Sequence, residues 1–446
     1  MKVLLINPLY DPGFPESLPP LGLASLASVA EKNGHEVKIL DLNLKFKEGA
    51  TVESSVSSSL RYDADVIGLT CWGNTTPFVI EFCKKFKSIR PETKLVIGGE
   101  YASFKAESIL KESAADFVVR GEGEETFVHL LHAIESGEKI DRVFGISYRE
   151  SDKIVSLPDR PLIDMDNLPF INWGIIDNLK EYKAYKKYGR LPYQASRGCP
   201  FRCIFCSVQR TWGGIQRRKS PRKVIDEIKY FINEFGARQL DIRDDTFTLN
   251  KNWVIKICKL MLKENIEIDW RVSTRIDLID RNLLNLMKKA GCKGIFYGVE
   301  HISPKIQRFI GSKFYTEDFV EKKVVDTIAA GMDAQISVIF GWPVSTRKTA
   351  IKLSQFCQKI RRKGVWQIHI HLLFPLPGTR LVKEYSSAIV PNPYPKLTQP
   401  GLKRVPQEYY ALLKRHSKYV PDFWMFRSKD IEPNELLRIY ADTKLM

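Results

Sequence analysis

The sequence predicts an α/β protein built from an N-terminal Rossmann-like (flavodoxin-like) domain, a partial (βα)6 barrel and a small C-terminal extension. Three observations lead to this fold class. The chain has 446 residues, more than one hydrophobic core usually organises. Short apolar strand patterns alternate with helical patterns through the first third of the chain, and a second alternating series begins near Tyr193. Such alternation is typical of parallel sheets covered by helices.

Residues 1–147 carry the first series. The predicted strands are Val3–Asn7, Glu36–Asp41, Val66–Thr70, Lys94–Ile97 and Phe117–Val119, and the predicted helices are Leu21–Asn33, Pro77–Ser88 and Glu124–Glu135. A doubly wound parallel sheet binds ligands at the carboxyl ends of its strands. We therefore expect a binding site in the loops that follow these strands, where small and polar residues dominate.

Residues 148–188 read as a linker, because regular patterns fade there around Pro158, Pro161 and Pro169. Residues 189–385 carry the second series, which predicts a six-stranded partial barrel with its chemistry at the carboxyl ends of the strands. The predicted barrel strands are Tyr193–Ser196, Gln239–Arg243, Ile268–Ser273, Gly294–Glu300, Asp333–Phe340 and Val365–Leu373. Residues 386–446 form the predicted extension, which is rich in Tyr and Lys.

Composition and charge narrow the class of protein. No apolar run approaches the ~20 residues that cross a bilayer, and Met1–Pro8 enters a strand pattern without a signal-type apolar region. We therefore expect a cytoplasmic protein with no membrane span. The net charge of +17 is uneven, because residues 1–150 hold 17 basic and 22 acidic residues and the remainder holds 52 and 30. No Lys/Arg block interleaved with aromatic residues stands out, so nucleic acid is not an expected partner.

The strongest chemical signal is a Cys-x3-Cys-x2-Cys run formed by Cys199, Cys203 and Cys206. Three thiolates on one loop can bind three irons of a cubane and leave the fourth iron free for a small-molecule ligand. The alternative is a zinc site, which ordinarily takes a fourth nearby Cys or His, whereas the nearest histidines are His132 and His301. The spacing therefore predicts a [4Fe–4S] cluster.

Residues 197–206, RGCPFRCIFC, resemble the signature loop of the radical S-adenosylmethionine (SAM) superfamily. The likeness continues at the ends of later strands and at the turns Gly341–Pro343 and Pro375–Thr379, although the first turn lacks the usual acidic residue. The resemblance implies that SAM is bound by Phe205, Asp244, Asp245, Ser273, Arg275 and Glu300. A strand-end cap is the alternative for the two aspartates, and a mutual ion pair is the alternative for Arg275 and Glu300.

The N-terminal half is similar to the B12-binding domains that precede radical SAM domains, and Pro19–Leu23, Val96–Tyr101 and Val119–Glu124 carry the likeness. The resemblance implies that cobalamin is bound by Tyr10, Cys71, Trp72, Asn74, Thr75, Gly98, Gly99, Glu100, Tyr101, Gly121, Glu122 and Glu124. The Asp-x-His-x-x-Gly motif that supplies a histidine to cobalt in many cobalamin proteins is absent, and no histidine precedes His35. We therefore expect bound cobalamin without a protein histidine on cobalt; the alternative is a domain that kept the fold and lost the cofactor.

Together the two halves resemble the class B radical SAM methyltransferase-like family. The resemblance implies a C-methyltransferase, in which a 5′-deoxyadenosyl radical activates a substrate carbon and methylcobalamin donates the methyl group. The main alternative is a rearrangement, cyclisation or oxidation without net methyl transfer. A methylthiotransferase is disfavoured, because that class has three cluster cysteines in its leading domain, where this chain has only Cys71 and Cys83. A non-catalytic cobalamin sensor would not need a complete cluster loop.

The predicted partners are a substrate and a reductant. Both a peptide or protein side chain and a small molecule remain open as the substrate, and ferredoxin or flavodoxin is the expected electron donor. His369 and His371 alternate on one predicted strand and therefore share a face, which makes them candidate substrate contacts, with packed or outward-facing side chains as the alternative. Cys258, Cys292 and Cys357 are widely spaced, and we expect them to be buried structural thiols.

Overall fold

The computed structural model describes residues 1–8, 18–44, 51–311 and 314–445. The chain divides into two compact units. The N-terminal unit comprises Met1–Lys187 and Pro400–Pro421, and the barrel unit comprises Tyr188–Gln399 and Asp422–Met446.

The N-terminal unit is built around a seven-stranded sheet in the order β2-β1-β3-β4-β5-β6-β7. The first five strands in this order are parallel, with the flavodoxin-like order 2-1-3-4-5, and β6 and β7 continue the sheet in antiparallel fashion. The strands are β1 (Lys2–Asn7), β2 (Glu36–Asp41), β3 (Val66–Thr70), β4 (Lys94–Gly98), β5 (Phe117–Val119), β6 (Ile146–Glu150) and β7 (Lys153–Ser156), and the helices are α1 (Leu21–Lys32), α2 (Val52–Ser59), α3 (Thr76–Ile89), α4 (Glu100–Glu112) and α5 (Gly123–Ser136). The predicted Rossmann-like domain is confirmed.

Strand β1 shows why the strands of this sheet could be predicted from apolar runs in the sequence. Its consecutive residues Leu4, Leu5 and Ile6 are fully buried, because helices cover both faces of a parallel sheet. Helix α5 is capped by Gly137, which takes the left-handed conformation (φ 71°) that closes many helices. Continuous apolar strands and glycine stops are local signals, so these bounds agree with prediction to within about two residues.

Four elements of this unit were not predicted. Strand β6 crosses the expected boundary at residue 147, and β7 lies inside the expected linker. The two strands are short, partly polar and joined through Ser151 at φ 53°, so they lack the apolar run used to recognise the other strands. Helix α4 begins at Glu100, directly after the glycine pair that ends β4, and helix α2 is serine-rich.

The barrel unit contains a six-stranded parallel sheet in the order β15-β14-β13-β12-β11-β8, as expected for a partial (βα)6 barrel. Its strands are β8 (Arg190–Tyr193), β11 (Gln239–Ile242), β12 (Asp269–Thr274), β13 (Cys292–Glu300), β14 (Asp333–Phe340) and β15 (Gln367–Leu372), with a short pair β9 (Ser196–Arg197) and β10 (Arg217–Arg218). The helices near and between these strands are α6 (Lys183–Tyr188), α7 (Val208–Trp212), α8 (Pro221–Phe235), α9 (Lys251–Lys263), α10 (Arg281–Lys289), α11 (Pro304–Ile310), α12 (Glu317–Ala329) and α13 (Arg347–Arg362).

The prediction for the first barrel strand was wrong by three residues. The strand is Arg190–Tyr193, whereas Tyr193–Ser196 was expected. Ser196 instead begins β9, which pairs antiparallel with β10. This two-stranded ribbon redirects the chain immediately before the cysteine run.

The predicted extension is divided between the two units. Helix α16 (Gln407–Arg415) belongs to the N-terminal unit. Helix α14 (Arg380–Glu384) directly precedes the extension. The extension's other elements lie in the barrel unit: β16 (Ile389–Pro391), α15 (Pro395–Thr398), β17 (Trp424–Phe426) and α17 (Pro433–Leu445). Strands β16 and β17 pair antiparallel. Within the described ranges, no helix combines the length and apolar character needed to cross a membrane.

Candidate functional site

The cysteine loop lies between β9 and α7 and is fixed by its central residue. Ile204 is buried among apolar side chains that include Trp342. Its N–H donates to the carbonyl of Ile310 at 3.0 Å, and its carbonyl accepts from the N–H of Leu381 at 2.9 Å. Leu381 belongs to helix α14, which directly follows the turn Pro375–Thr379, so the segment after this turn anchors the loop. The buried side chain and backbone hydrogen bonds of Ile204 therefore fix the part of the loop that carries Cys203 and Cys206.

The three predicted cluster ligands differ from the other cysteines in exposure. Cys199, Cys203 and Cys206 are partly exposed, whereas the remaining five thiols are buried, as expected for Cys258, Cys292 and Cys357. Burial, with smaller contributions from Cys203 and Cys199, raises the pKa of Cys206 to about 12. A bound metal deprotonates a coordinating thiol outright, so accessible thiols in this setting fit a metal-cluster ligand set.

A mononuclear metal site does not fit the same side chains. In the part of the chain that the structure describes, no three His, Cys, Asp or Glu side chains converge on one metal ion. A [4Fe–4S] cubane requires a different arrangement, because each thiolate binds its own iron and the three sulfurs need not converge on one point. The geometry thus disfavours the zinc alternative and is compatible with [4Fe–4S].

The end of β11 is hydrogen-bonded to the segment that leads into the cysteine loop. Asp244 accepts from the Ala195 N–H at 2.8 Å and from the Ser196 hydroxyl at 2.5 Å. Asp245 accepts from the Gly198 N–H at 2.7 Å. Burial raises the pKa of Asp244 to about 7, and its hydrogen bonds only partly oppose this. Both aspartates thus brace the cluster loop; their contact with SAM remains a prediction.

Arg275 follows β12 and has a free donor. Its Nε and Nη2 donate to Asp277 at 3.0 and 2.7 Å, so the ion pair with Glu300, the alternative to SAM binding, is not formed. Its guanidinium lies 3.7 Å from the ring centroid of Phe201, in the cysteine loop. Its Nη1 is buried without a hydrogen-bond partner. A buried, fixed guanidinium with an unsatisfied donor suits a carboxylate ligand, as SAM would supply.

Glu300 ends β13 in an unusual conformation. Its φ of 63° lies in the left-handed region, and the register with β14 shifts between Gly298 and Glu300. Bulges and positive φ values at strand ends often redirect functional side chains. The Glu300 carboxylate accepts from the Ser337 hydroxyl at 2.9 Å. Ser273 lies in register with Phe296 on the same sheet, and Phe205 packs edge-on against Trp342.

His369 and His371 share a face with these residues. His369 pairs in register with Ser337 and exchanges a hydrogen bond with Gln335 at 3.0 Å. The two imidazoles are nearly parallel, with centroids 6.3 Å apart. Burial lowers the pKa of both, although His371 retains an exposed surface and Glu300 partly opposes the lowering there. Neutral imidazoles on this face can accept or donate a hydrogen bond to a bound molecule.

The predicted cobalamin residues gather at the carboxyl ends of β3, β4 and β5, which are neighbours in the sheet. Gly99 has φ 100°, and a Cβ there would lie 3.0 Å from the carbonyl oxygen of Cys71, so only glycine fits. Asn74 Oδ1 is buried without a partner, and the Trp72 side chain is 49% exposed. The unsatisfied Asn74 amide after β3 and the Gly99 turn after the neighbouring β4 fit a polar ligand at the carboxyl ends of these strands.

Other residues of that set have structural partners. The Cys71 thiol is fully buried and lies 3.2 Å from the Thr76 hydroxyl, and burial raises its pKa to about 12. Glu122 accepts from the Ile163 N–H, and Glu124 accepts from the Ser25 hydroxyl, both at 2.9 Å. The remaining members take these positions: Thr75 accepts from the Trp72 N–H, Glu100 and Tyr101 begin α4, Gly98 ends β4, Gly121 follows β5, and Tyr10 lies outside the described residues.

Two histidines of this unit, His35 and His132, lie near the amino ends of the strands. His35 immediately precedes β2, at its amino end, and its ring centroid is 5.2 Å from that of His132 in α5. Neither histidine therefore lies at the carboxyl ends of the strands. This placement agrees with the absence of the Asp-x-His-x-x-Gly motif.

Four residues of the site were missed by sequence reasoning: Phe201, Thr246, Asp277 and Ser337. Phe201 lies inside the motif RGCPFRCIFC and Thr246 directly follows Asp245, so their spacing from Cys199 and Asp245 was the available signal. Asp277 lies two residues after Arg275, but nothing in the sequence showed that they pair, and only the fold brings Ser337 to Glu300.

Comparison with known proteins identifies the family. A B12 binding domain model matches residues 14–131, and a radical SAM superfamily model matches residues 193–357. An uncharacterized methyltransferase of Pyrococcus horikoshii is 32% identical over 390 residues, which cover 85% of this chain and 82% of that protein. The chain belongs to the cobalamin-dependent radical SAM methyltransferase family. Its cofactors are a [4Fe–4S] cluster, SAM and cobalamin.

Two further similarities bear on this family member. An anaerobic magnesium-protoporphyrin IX monomethyl ester cyclase of Synechocystis sp. is 30% identical over 329 residues, covering 71% of this chain and 65% of the cyclase. The fold resembles that of the radical SAM methyltransferase TsrM from Kitasatospora setae, solved with cobalamin and a [4Fe-4S] cluster bound. The TM-score is 0.78 at 19% identity, over 99% of this chain and 90% of TsrM.

Proposed function

We propose that this radical SAM methyltransferase methylates an unactivated carbon of its substrate. The observation that carries the proposal is the complete cysteine loop, Cys199, Cys203 and Cys206, in a chain of a methyltransferase family. A methyl donor alone suffices when the acceptor atom is nucleophilic. A radical-generating centre is needed when the acceptor is a carbon that cannot attack by itself. Retention of the loop therefore favours a carbon acceptor.

The protein's part is to bind and orient the reactants. When bound, the reduced cluster supplies the electron that cleaves SAM, and cobalamin supplies the methyl group. Cys199, Cys203 and Cys206 would hold three irons, and the free Nη1 of Arg275 would hold the SAM carboxylate. Because Asp277 and Phe201 already fix this guanidinium, little side-chain freedom is lost when SAM binds.

Substrate contacts are proposed for His369 and His371. Both imidazoles stand beside the Glu300–Ser337 pair, and their lowered pKa keeps them neutral near pH 7. A neutral imidazole can orient a substrate hydroxyl, amide or carboxyl group through either nitrogen. The proposed substrate is a peptide or protein side chain or a small molecule, and the proposed electron donor is a ferredoxin or flavodoxin in a reducing cytoplasm.

The cluster assignment is tested by substitution under anaerobic conditions. Cys199→Ala, Cys203→Ala and Cys206→Ala combined should abolish SAM cleavage, and reconstituted wild-type protein should bind about four iron and four sulfide at this site. Cys357→Ala, which removes a buried thiol of α13, serves as the matched control and should retain the cluster. SAM cleavage by the triple variant would refute the assignment.

Product stoichiometry separates methylation from its rival. Methyl transfer through cobalamin consumes two SAM molecules per product, one yielding S-adenosylhomocysteine and one yielding 5′-deoxyadenosine, so their ratio should approach one to one. The similarity to the cyclase favours a second candidate, a radical cyclisation or oxidation without methyl transfer. Substrate-dependent 5′-deoxyadenosine without S-adenosylhomocysteine, or a product without an added methyl group, would support that candidate instead.

A further inference from the structure

A hydroxyl group that no motif singled out contacts a predicted cluster ligand. Thr246 directly follows the aspartate pair at the end of β11, and it is only 2% exposed. Its Oγ1 lies 3.4 Å from the Sγ of Cys199, within hydrogen-bonding distance for sulfur. The side chain therefore has a donor aimed at the first cysteine of the loop.

The backbone of Thr246 is held by contacts of its own. Its carbonyl accepts from Gln216 Nε2 at 2.8 Å, and the same amide nitrogen donates to the Ser196 hydroxyl at 3.2 Å. Consecutive residues at the end of β11 thus meet the approaching loop in order: Asp244 contacts residues 195 and 196, Asp245 contacts Gly198, and Thr246 contacts Cys199. Several separate hydrogen bonds thus fix the end of β11 against the loop and hold the Thr246 hydroxyl next to the Cys199 sulfur.

The hydroxyl has a second acceptor, the carbonyl of Asp245 at 2.7 Å. One hydroxyl hydrogen can serve only one of the two acceptors well. A cysteine bound to iron is a thiolate, and hydrogen bonds to charged acceptors are about twice as strong as those between neutral groups. The bond to sulfur is therefore favoured once Cys199 is a cluster ligand.

We propose that Thr246 is a positioning and tuning residue for the cluster: its hydroxyl donates to the Cys199 thiolate and raises the reduction potential of the [4Fe–4S] centre. Reduction adds one electron and makes the cluster sulfurs more negative. A donor to sulfur stabilises this reduced form more than the oxidised form. The proposal rests on the assignment of Cys199 as a ligand, and it does not depend on what the enzyme does to its substrate.

The test is an anaerobic redox titration of the reconstituted full chain, followed by electron paramagnetic resonance of the reduced cluster, without SAM or substrate. Thr246→Val removes the hydroxyl at nearly constant volume, and Thr246→Ser retains it. Thr248→Val is the matched control, because the Thr248 hydroxyl is also buried but contacts the Thr274 hydroxyl at 2.6 Å. We expect a more negative midpoint potential for Thr246→Val, and wild-type potentials for Thr246→Ser and Thr248→Val.

Each possible result of this titration either supports or overturns the proposal. A Thr246→Val protein with full iron content and an unchanged potential would overturn the proposal. If Thr246→Val fails to assemble the cluster, assembly by Thr246→Ser supports the hydroxyl bond, and failure of both variants refutes it. A Cys199→Ala protein that keeps an unaltered cluster would remove the underlying ligand assignment, whereas failure to find methylated product would leave this test intact.

Discussion

Replacing Glu227 by Gln should destabilise the barrel unit by about 3–5 kcal/mol, the usual cost of removing one partner of a buried ion pair. Glu227 is fully buried on α8 and accepts from Lys219 Nζ at 2.9 and 2.6 Å and from the Tyr193 hydroxyl at 2.6 Å. The Lys219 side chain is only 4% exposed. Glutamine keeps the size and one acceptor for Tyr193 but leaves the ammonium group buried without a counter-charge.

The loss of stability should include the segment before the cysteine loop, because the Lys219 N–H donates to the carbonyl of Ala195 at 2.9 Å. The two units need not unfold together, so a local measurement by hydrogen exchange is preferable to a global denaturation curve. Exchange protection of β8 and β9 should fall by roughly two to four orders of magnitude, since about 1.4 kcal/mol corresponds to tenfold.

The matched control for Glu227→Gln is the double variant with Lys219→Met. It removes both charges, keeps an acceptor for Tyr193 and should recover most of the protection, because neutral replacement of a buried pair is often tolerated. Unchanged protection in the single variant would refute the reasoning. So would a double variant as labile as the single one, since the loss would then not come from an unpaired charge.

The stability of cluster-free protein should carry a pH dependence from Asp244. Because its pKa is raised from 3.8 to about 7, the folded state binds the proton more tightly than the unfolded state does. The contribution of this carboxyl to the free energy of unfolding should therefore fall by up to about 4 kcal/mol as the pH rises from about 4 to about 7. Denaturation curves of Asp244→Asn should lack that slope, and an equal slope in both proteins would contradict it. Gly198→Ala should lose cluster iron, because φ is 92° and a Cβ would lie 2.0 Å from the Ile215 carbonyl oxygen; Gly214→Ala, at φ 70° with nothing nearer than 3.9 Å, is the control. Replacing His35 and His132 by Ala should leave the spectrum of bound cobalamin unchanged, and a spectrum that depends on either histidine would show a ligand role.

The sequence predicted the parallel strands of both units along the chain, because such strands are read from local patterns, whereas it missed the antiparallel strands β6 and β7. Strands Glu36–Asp41 and Val66–Thr70 were placed without error, since each is a short apolar run between turn residues. The first barrel strand was misplaced because Tyr193–Ser196 has a similar local pattern. Only the pairing of Ser196 with Arg218 reveals that the chain has left the barrel by that point.

The sequence named candidate site residues but not the contacts that each of them makes. The cysteine spacing and the aspartate pair were visible in the sequence, whereas the partner of each charged side chain was not. Arg275 pairs with Asp277, two residues away, and not with Glu300. That choice depends on how the chain turns after β12, which neither composition nor periodicity encodes.

The contacts of the aspartate pair bear on how SAM can be bound. The amino-acid part of SAM carries a carboxylate and an ammonium group, so the site needs a cationic donor and an anionic acceptor. Both oxygens of Asp244 already accept hydrogen bonds from the segment before the cysteines. Arg275 retains a buried free donor, and Glu300 is turned from its strand by a bulge with φ 63°. We therefore propose that the charged groups of SAM contact residues at the ends of β12 and β13, while the aspartate pair after β11 secures the cysteine loop.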